Sequence, residues 1–388
     1  MFKHLYSRFL EADPERLHFA AHSHHLWPDV TRTAQLAYWD DCARLVDRKW
    51  ERIFGEVIPE AQEWIASWIG TAQPGQVVFA PNTHELVSRL LSCFDARRPL
   101  RILTTDSEFH SFERQARRLV ELGLAHLQRV PTQPFDSFED RFCSQLLRSR
   151  YDLVFFSSIF FNSGLGPKNL QRLVRKARQS SSAVVVDGYH SFGSVPIDLS
   201  GIRDDLFFVA GGYKYVQSGE GVCFMHVPQG TDLVPANTGW FAGFDTLESG
   251  ADVGFPQDGM RFAGSTFDPS GIYRFNAVME MFRELGLDQA GITSHVNRLQ
   301  KYFVSRLDPS GLDKGRLVDS ASCRRGSFLA FEMGDAEQAA LWMSGLKEKN
   351  VVVDARGSRL RFGFGIYQEE ADVDELIHRM ESLRLSSR

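Results

Sequence analysis

The chain has 388 residues, of which 43% are apolar and 12% aromatic, so it can bury a sizeable core, and its length allows two or three domains. Its formal net charge is −5, from 44 basic and 49 acidic residues, and neither sign forms a long block. This excludes the electrostatic footprint of a nucleic-acid-binding or membrane-surface protein and favours a small-molecule substrate, with neither nucleic acid nor membrane as a partner.

Cysteine usage and the N-terminal residues indicate the compartment. The cysteines are widely spread and include no CxxC pair, which indicates reduced thiols. They are Cys42, Cys93, Cys143, Cys223 and Cys323. The N-terminal residues contain no apolar signal-peptide core, and no uninterrupted stretch of about 18 apolar residues occurs in the sequence. We therefore expect a cytoplasmic protein that is neither secreted nor membrane-spanning.

In chain order, residues 51 to about 230 alternate helical patterns with short apolar runs bounded by turn residues, which is typical of an α/β fold. The predicted strands are 76–80, 101–106, 152–159, 183–189, 206–211 and 221–227. The predicted helices are 83–94, 109–123, 136–149 and 167–180, the last with Pro167 in its first turn. Several strands are apolar throughout, as in a mostly parallel sheet covered on both faces. Ligands of such sheets bind beyond the strand ends.

Beyond residue 227 the pattern changes. Residues 237–269 are rich in Gly, Pro and aromatic side chains, which predicts an ordered loop that serves a site. A helix over 272–285 precedes a smaller α/β unit with strands 327–332, 351–354 and 360–364 and helices 336–349 and 371–384. The first 45 residues have no strong period and are expected to pack on this unit. The predicted division is a large domain over 46–270 and a small domain made of 1–45 and 271–388.

Two residues that follow predicted strands have the types that one cofactor requires. Lys214 lies in the turn Gly-Gly-Tyr-Lys after one apolar run, and Asp187 ends another, Ala-Val-Val-Val-Asp. Pyridoxal phosphate (PLP) needs a lysine amine for a Schiff base and a buried carboxylate that keeps its pyridine nitrogen protonated. The spacing suits two neighbouring strand ends that face one pocket, although a lysine after a glycine turn is more often a solvated loop residue.

Further residues near predicted strand ends fit the same cofactor. Asn82 and Thr83 begin a helix after a strand, and the free amides of such a helix end bind phosphate, although Thr83 would also serve as an ordinary cap. Phe109, at the start of the next helix, is either an aromatic face for a planar ring or an ordinary core residue. Ser157 and His190 are placed to contact ring substituents, and a structural role fits each nearly as well.

Several motifs together carry a resemblance to a known family. They are Val-Val-Asp187-Gly-Tyr-His190, Gly-Tyr213-Lys214-Tyr, Gly-Trp240-Phe, Val-Asp354-Ala-Arg356 and Leu-Arg361-Phe-Gly-Phe-Gly-Ile-Tyr367. In these motifs, and from about residue 18 to 385, the chain resembles the kynureninases, which belong to the class V aminotransferase group of fold-type I PLP enzymes.

The resemblance implies a fold-type I PLP-dependent transferase fold, with a large domain built on a mostly parallel mixed sheet and a smaller α/β domain. It implies Lys214 as the Schiff-base lysine, Asp187 at the pyridine nitrogen and Phe109 stacked on the ring. Arg361 is assigned to the substrate α-carboxylate, a bidentate task that suits a guanidinium. The other ring contacts are assigned to Ser157 and His190. The residues placed around the phosphate are Asn82, Thr83, Tyr213, Trp240 and Thr266, the last two from the partner subunit of a homodimer with active sites at its interface.

Two departures from the kynureninase pattern fall where the substrate binds. Phe112 stands where an aspartate, three residues after the stacking phenylalanine, is typical. Near the N-terminus, Ala21-His-Ser-His-His-Leu-Trp-Pro28 replaces a Gly-Asn-Ser-Leu-Gly-like run. Three imidazoles and an indole would alter a pocket that accepts an aryl ketone in the family. Within this run, Ser23 and His24 are assigned to substrate binding.

Alternatives from other classes compete with this assignment. The cluster His22, His24 and His25 after an apolar run is similar to the first metal-ligand motif of a barrel amidohydrolase, but the other histidines supply no convincing set, so no metal site is predicted. A cysteine desulfurase or selenocysteine lyase needs a thiol shortly before the arginine, and no cysteine lies between 323 and 361. A non-catalytic PLP-binding regulator would need a further domain for DNA or a protein partner.

The predicted function is a kynureninase-like PLP-dependent hydrolase that acts on an α-amino acid. Lys214 forms the Schiff base, releases it to the substrate and then moves the α-proton as general base, while Asp187 keeps the electron sink protonated. In the family, hydration of a side-chain carbonyl precedes cleavage of the β,γ carbon–carbon bond, which yields alanine and an aromatic acid. The alternative is an aminotransferase or β-lyase of the class V group, because both use the same lysine, aspartate and arginine.

Overall fold

The computed structural model describes residues 2–95, 97–246 and 253–386, so residues 247–252 of the predicted loop lie outside the described residues. The strands are β1 (Leu17–His18), β2 (Val77–Ala80), β3 (Leu100–Thr105), β4 (Ala125–Val130), β5 (Tyr151–Ser157), β6 (Leu165–Pro167), β7 (Ser181–Asp187), β8 (Phe207–Gly211), β9 (Cys223–His226), β10 (Cys323–Arg325), β11 (Phe328–Glu332), β12 (Val351–Val352), β13 (Asp354–Arg356) and β14 (Arg359–Gly363).

The helices alternate with these strands over most of the chain. They are α1 (Ser7–Glu11), α2 (Val30–Leu45), α3 (Lys49–Arg52), α4 (Ile58–Trp68), α5 (Thr83–Leu91), α6 (His110–Glu121), α7 (Phe138–Arg148), α8 (Leu170–Ser180), α9 (Ser270–Glu284), α10 (Gln289–Ser305), α11 (Ala336–Glu348) and α12 (Glu370–Ser386). Of the helices in the described part of the chain, none combines the length and the apolar character needed to cross a bilayer.

A mixed seven-stranded sheet has the strand order β2-β9-β8-β7-β5-β3-β4. Strands β8, β7, β5, β3 and β4 run parallel, whereas β9 is antiparallel to both of its neighbours. Side chains of β5 and β7 alternate between two apolar cores, with Val154 and Val184 on one face and Leu153 and Ala183 on the other. Because both faces are covered, these strands are apolar throughout. The predicted α/β fold with a mostly parallel mixed sheet is confirmed.

Strand β4 and the start of α8 differ from the prediction, each for an identifiable reason. Strand β4 was not expected, because it lies at the edge of the sheet and its side chains alternate between buried and exposed instead of forming an apolar run. Pro167 does not begin a helix; it ends β6, where it pairs with Cys323 of β10. Helix α8 begins three residues later, with the side chain of Asn169 accepting a 2.9 Å hydrogen bond from the backbone N–H of Arg172.

The C-terminal unit is built on the three-stranded antiparallel sheet β11-β14-β13, against which α11 and α12 pack. The predicted strand over 351–354 is divided between β12 and β13. Strand β1 pairs in parallel with β12, and the backbone N–H of Gly363 donates to the carbonyl of Phe19 at 2.6 Å. The N-terminal residues therefore contact the C-terminal unit. The division of the chain at residues 46 and 270 stays a prediction.

The carboxyl ends of the central parallel strands meet at one edge of the large sheet. Ser157, the last residue of β5, is in register with Asp187, the last residue of β7, which is in turn opposite Val209 of β8. The turn after β8 then leads to Lys214. A Cβ at Gly212 would lie 2.2 Å from the hydroxyl of Ser218, so glycine lets this turn fold back tightly. Ligands of open α/β sheets bind at this edge.

Candidate active site

Asp187 is a buried carboxylate at the end of β7. It accepts a 2.9 Å hydrogen bond from the backbone N–H of Tyr189. Burial raises the pKa of Asp187, while the Tyr189 hydrogen bond and the charge of Lys214 oppose the rise. A buried carboxylate of this kind is stabilised by a cationic N–H partner. The position therefore fits a protonated pyridine nitrogen.

Lys214 is buried beside His190 and three aromatic rings. Its Nζ lies 2.8 Å from His190 Nε2 and 5.5 Å from the ring centroids of both Phe109 and Tyr189, with Tyr213 at 5.7 Å. Burial lowers the pKa of Lys214 to about 7; the charge of Asp187 opposes this shift, and that of Arg361 adds to it. Burial also lowers the pKa of His190 well below its usual value, so its imidazole is neutral. Lys214 is thus an amine that loses its proton near neutral pH, as a nucleophile must.

A cavity of about 190 Å³ brings most of the predicted cofactor residues together. Its lining comprises Asn82, Thr83, Phe109, Ser111, Ser157, Phe161, Asp187, Tyr189, His190, Tyr213 and Lys214. Eight of these were predicted from the sequence. Ser111, Phe161 and Tyr189 were not, although Tyr189 lies inside one of the motifs that carry the resemblance. The lysine, the carboxylate and an aromatic wall therefore face the same cavity.

The N-terminus of α5 forms one end of this cavity. The cap is Asn82, whose side chain accepts a 3.1 Å hydrogen bond from the N–H of Glu85; Thr83, which we expected as the cap, is instead the first helical residue. Thr83 is buried, with its hydroxyl 3.5 Å from the sulfur of Cys223. The positive end of the helix dipole and the first-turn amides suit a phosphate group. The residues present therefore fit PLP at its phosphate end as well as at its ring.

Two residues that were predicted to bind the phosphate lie outside the cavity. Trp240 is 45% exposed and packs against Phe241 and Phe244, and Thr266 is exposed. Neither lines the cavity of its own subunit. Their assignment to a partner subunit stays a prediction.

Arg361 is buried next to the cavity, but its guanidinium is already engaged. Its Nε donates to Asp354 Oδ1 at 2.7 Å, and its Nη2 donates to Asp354 Oδ2. Its Nη1 donates to the carbonyl of Phe161, a residue of the cavity wall. A guanidinium has five N–H groups, so two remain for a ligand carboxylate. The assignment of Arg361 to the substrate carboxylate stays a prediction.

The three histidines of the N-terminal cluster have different surroundings. His22 is buried, with Nε2 2.8 Å from Asp354 Oδ1 and its ring stacked on Phe328 at 4.6 Å. His25 is buried and its Nδ1 lies 2.7 Å from the carbonyl of Leu26. The side chain of His24 is 74% exposed. Within the described ranges, no group of His, Cys, Asp and Glu is arranged to hold a metal ion, and the open sheet rules out the amidohydrolase barrel.

Glycines in the Arg361 motif make room for the two buried histidines. A Cβ at Gly363 would lie 2.2 Å from His22 Nδ1, and one at Gly365 would lie 2.6 Å from His25 Nε2. The run Phe-Gly-Phe-Gly therefore fits against the N-terminal run that contains both histidines. Ser23 and His24, assigned to the substrate, do not line the cavity, although the His24 ring lies 6.1 Å from that of Tyr213. Their role stays a prediction.

The structure explains what the departure at Phe112 does locally. Phe112 is buried and stacks face to face on Phe155 at 3.7 Å, so it is a core residue of the large sheet.

A different carboxyl group, Glu108, is buried at the site and was missed by the sequence analysis. Glu108 accepts hydrogen bonds from Thr105 at 2.5 Å and from the hydroxyl of Ser157 at 2.6 Å. Burial raises the pKa of Glu108 to about 8 against the opposing effect of these bonds.

The Ser157 contact changes the expectation for that residue. Its hydroxyl is already hydrogen-bonded to Glu108 at 2.6 Å, so only the remaining hydrogen-bonding capacity of Ser157 is open to a cofactor. The signal for Glu108 in the sequence was its position directly before the predicted stacking phenylalanine. That signal is weak, because a glutamate after a strand is usually solvated.

Comparison with known proteins supports the fold and the cofactor. The chain is 31% identical over 188 residues to isopenicillin N epimerase of Streptomyces clavuligerus, a match that spans 47% of this chain and about half, 46%, of that relative. It is 22% identical to a probable cysteine desulfurase of Streptomyces coelicolor, over 84% of this chain and 81% of that protein.

Solved structures superpose over nearly the whole chain. A C-DES mutant with glycine covalently linked to its PLP cofactor gives a TM-score of 0.84 at 15% identity, covering 98% of each chain. The apo cysteine desulfurase of Thermococcus onnurineus NA1 gives 0.79 at 18% identity, covering 96% of each chain. These likenesses confirm the fold-type I architecture. The model of the family described as aminotransferase class-V matches residues 38–376, and the chain therefore belongs to the class-V aminotransferase family of PLP-dependent enzymes.

Proposed function

We propose that this chain binds PLP covalently through Lys214 and cleaves the side chain of an α-amino acid, with kynureninase-like hydrolysis of a β,γ carbon–carbon bond as the leading reaction. The observation that carries the proposal is the buried Lys214 amine, whose pKa is lowered to about 7, in the same cavity as Asp187. When bound, PLP supplies an electron sink for negative charge that develops on the substrate α-carbon.

Each wall of the cavity has a role in this proposal. Asp187 would hold the pyridine nitrogen of the cofactor in its protonated form, and Phe109 would lie against the cofactor ring. Neutral His190, 2.8 Å from Lys214 Nζ, holds the lysine amine in place. The Nζ of Lys214 would also be the base that takes the proton from the substrate α-carbon. The first turn of α5, with Asn82, Thr83 and Tyr213, would hold the phosphate.

Two observations favour hydrolysis over sulfur transfer. Of the aromatic side chains in the cavity wall, Phe161 and Tyr189 are not assigned to the cofactor, and they suit an aryl side chain of the substrate. The sequence also has no cysteine between Cys323 and Arg361 that could carry sulfur. The second candidate is a β-lyase or aminotransferase, which is favoured by the similarity of the fold to C-DES, described as a cystine C–S lyase.

We also infer that the enzyme is a homodimer with active sites at the interface. The cavity shares Phe109 and Ser111 with an open groove of about 730 Å³ between α5 and α6. A partner subunit that covers this groove would close the site from solvent. The exposed Trp240 and Thr266 are available to enter the partner's site in such an arrangement.

The rate at which PLP becomes covalently bound should depend on pH around neutrality. Only the neutral amine attacks an aldehyde, and the pKa of Lys214 is lowered to about 7. The incorporation rate should therefore rise about tenfold per unit below pH 7 and level off above it. An exposed lysine, with a pKa of about 10.4, would give a rate that rises up to about pH 10. Stopped-flow absorbance of apoprotein mixed with PLP measures this profile, and an inflection near 10 would contradict the burial of Lys214.

Product identification tests the proposed reaction. The PLP-loaded protein is incubated with kynurenine, 3-hydroxykynurenine and a panel of ordinary amino acids including cysteine and cystine. We expect alanine and an anthranilate from the kynurenines. Release of sulfide or persulfide would instead establish the β-lyase, and conversion of the cofactor to pyridoxamine phosphate would establish transamination. A holoenzyme whose spectrum responds to none of these amino acids would refute an amino-acid substrate.

A further inference from the structure

One face of the small sheet carries more cations than carboxylates. Strand β14 lies between β11 and β13. Its Arg361 is opposite Ala330 of β11 on one side and Asp354 of β13 on the other. Two residues along, Glu332, Arg359 and Arg356 form the next row. Side chains two residues apart, and those directly opposite, project from the same face of a sheet. This face therefore holds three guanidinium groups and two carboxylates.

The charges of Arg359 and Arg361 are cancelled by their neighbours. Arg359 pairs with Glu332 at 3.2 Å. Arg361 holds both oxygens of Asp354, which also contacts His22 at 2.8 Å. Burial opposes ionisation of Asp354, but the hydrogen bond from His22 and the charge of Arg361 keep the pKa of Asp354 well below its usual range. Asp354 is thus an anion whose charge is already matched.

Arg356 is the cation that remains on this face. Its Nη2 lies 3.6 Å from Asp354 Oδ2, beyond a good hydrogen bond, and its Nη1 donates to the carbonyl of Ala355. Its side chain is 46% exposed, against 3% for Arg361. Arg356 also lies close to the cavity, because Asp354 is bound to Arg361, and Arg361 donates to the carbonyl of Phe161 in the cavity wall. Arg356 is therefore an accessible guanidinium beside the site.

We propose that Arg356 supplies the net positive charge that binds the substrate α-carboxylate, while Arg361, held by Asp354 and His22, orients that carboxylate. The inference rests on the proposed function. A substrate carboxylate that met Arg361 alone would meet an ion pair with no net charge, and Asp354 would repel it. With Arg356 beside them, the carboxylate meets one net positive charge and the two free N–H groups of Arg361. Arg356 is thus a substrate-binding residue that sets the requirement for a carboxylate.

Spectral titration of the PLP-loaded protein tests this assignment. The probes are L-alanine and L-kynurenine, together with L-alaninamide, which lacks the carboxylate. R356Q should weaken binding of both amino acids about tenfold or more and leave that of L-alaninamide unchanged. R356K, which keeps the charge, should restore part of the affinity. The double variant E332Q/R359Q is the matched control, because it removes a pair whose charges already cancel and leaves the net charge of this face unchanged, and it should bind as the wild type does.

A double variant separates charge from contact. In the R356Q background, Asp354→Asn removes the anion that neutralises Arg361, so amino-acid affinity should recover. If R356Q binds the two amino acids as tightly as the wild type does, the role of Arg356 is wrong. The role is also wrong if R356Q loses affinity for L-alaninamide to the same extent as for the amino acids. Neither result would contradict the proposed function. If the wild-type holoenzyme gives no spectral response to any amino acid, the proposed function fails as well. Melting temperatures of all variants establish that each is folded.

Discussion

Lys214→Ala is expected to abolish the visible absorbance band of the lysine-bound cofactor and to reduce turnover by about 10⁴-fold. Alanine removes both the amine that bonds to the cofactor aldehyde and the base that moves the α-proton. The cavity should survive, because Phe109, Tyr189 and Tyr213 still form its aromatic wall. PLP would then bind without a covalent bond, and dialysis should remove it. Absorbance spectra before and after dialysis, with turnover on the best substrate, measure these effects.

A lysine far from the cavity provides the control. Lys176 is exposed on α8, and Lys176→Ala should keep both the absorbance band and the turnover of the wild type. If purified Lys214→Ala retained a dialysis-resistant band, another lysine would hold the cofactor. The low pKa of Lys214 would then reflect burial without function.

The large sheet could be predicted because strands that are buried on both faces consist almost entirely of apolar residues, which is visible in the sequence. Strands such as β5 and β7 are apolar throughout, and a residue type that breaks the run, as Asp187 does, marks the strand end. Helix α2 was missed because its buried side chains are few and small or polar, while Leu36 and Trp39 are exposed. Its hydrophobic pattern therefore does not have the helical period that prediction relies on.

The cavity residues that follow neighbouring strands could be predicted from the sequence. Contacts between segments that are distant in the sequence could not. Asp187, Ser157 and Lys214 follow neighbouring strands, so the parallel sheet itself brings them together. The contact of His22 with Asp354 joins residues from opposite ends of the chain, and neither residue type suggests the other. The ion pair of Arg361 with Asp354 was missed for another reason: the two residues are close in sequence, but neither motif shows that β13 and β14 pair so that these side chains lie opposite each other.

Asp187 should limit the stability of the apoprotein and yet be required for activity. Burial raises the pKa of this carboxyl, which means that its ionised form is less stable in the folded chain than in water. At a pH above that folded pKa, Asp187→Asn should therefore raise the melting temperature of the apoprotein. The amide can still accept the N–H of Tyr189 through its oxygen.

The same substitution should impair the holoenzyme. An amide cannot neutralise a protonated pyridine nitrogen, so turnover should fall on the order of 10²- to 10³-fold while the lysine-bound absorbance band remains. Asp152 is the matched control, since it is a buried carboxylate at the other end of β5 that Arg98 holds at 2.9 Å. Burial opposes its ionisation, but the bond from Arg98 lowers the pKa of Asp152, so Asp152→Asn should destabilise the apoprotein and leave turnover unchanged. We therefore expect the two substitutions to change the melting temperature in opposite directions, with turnover lost only in Asp187→Asn. This result would identify Asp187 as a cofactor-binding carboxylate and Asp152 as a structural one. Equal turnover in Asp187→Asn and wild type would remove Asp187 from the cofactor site.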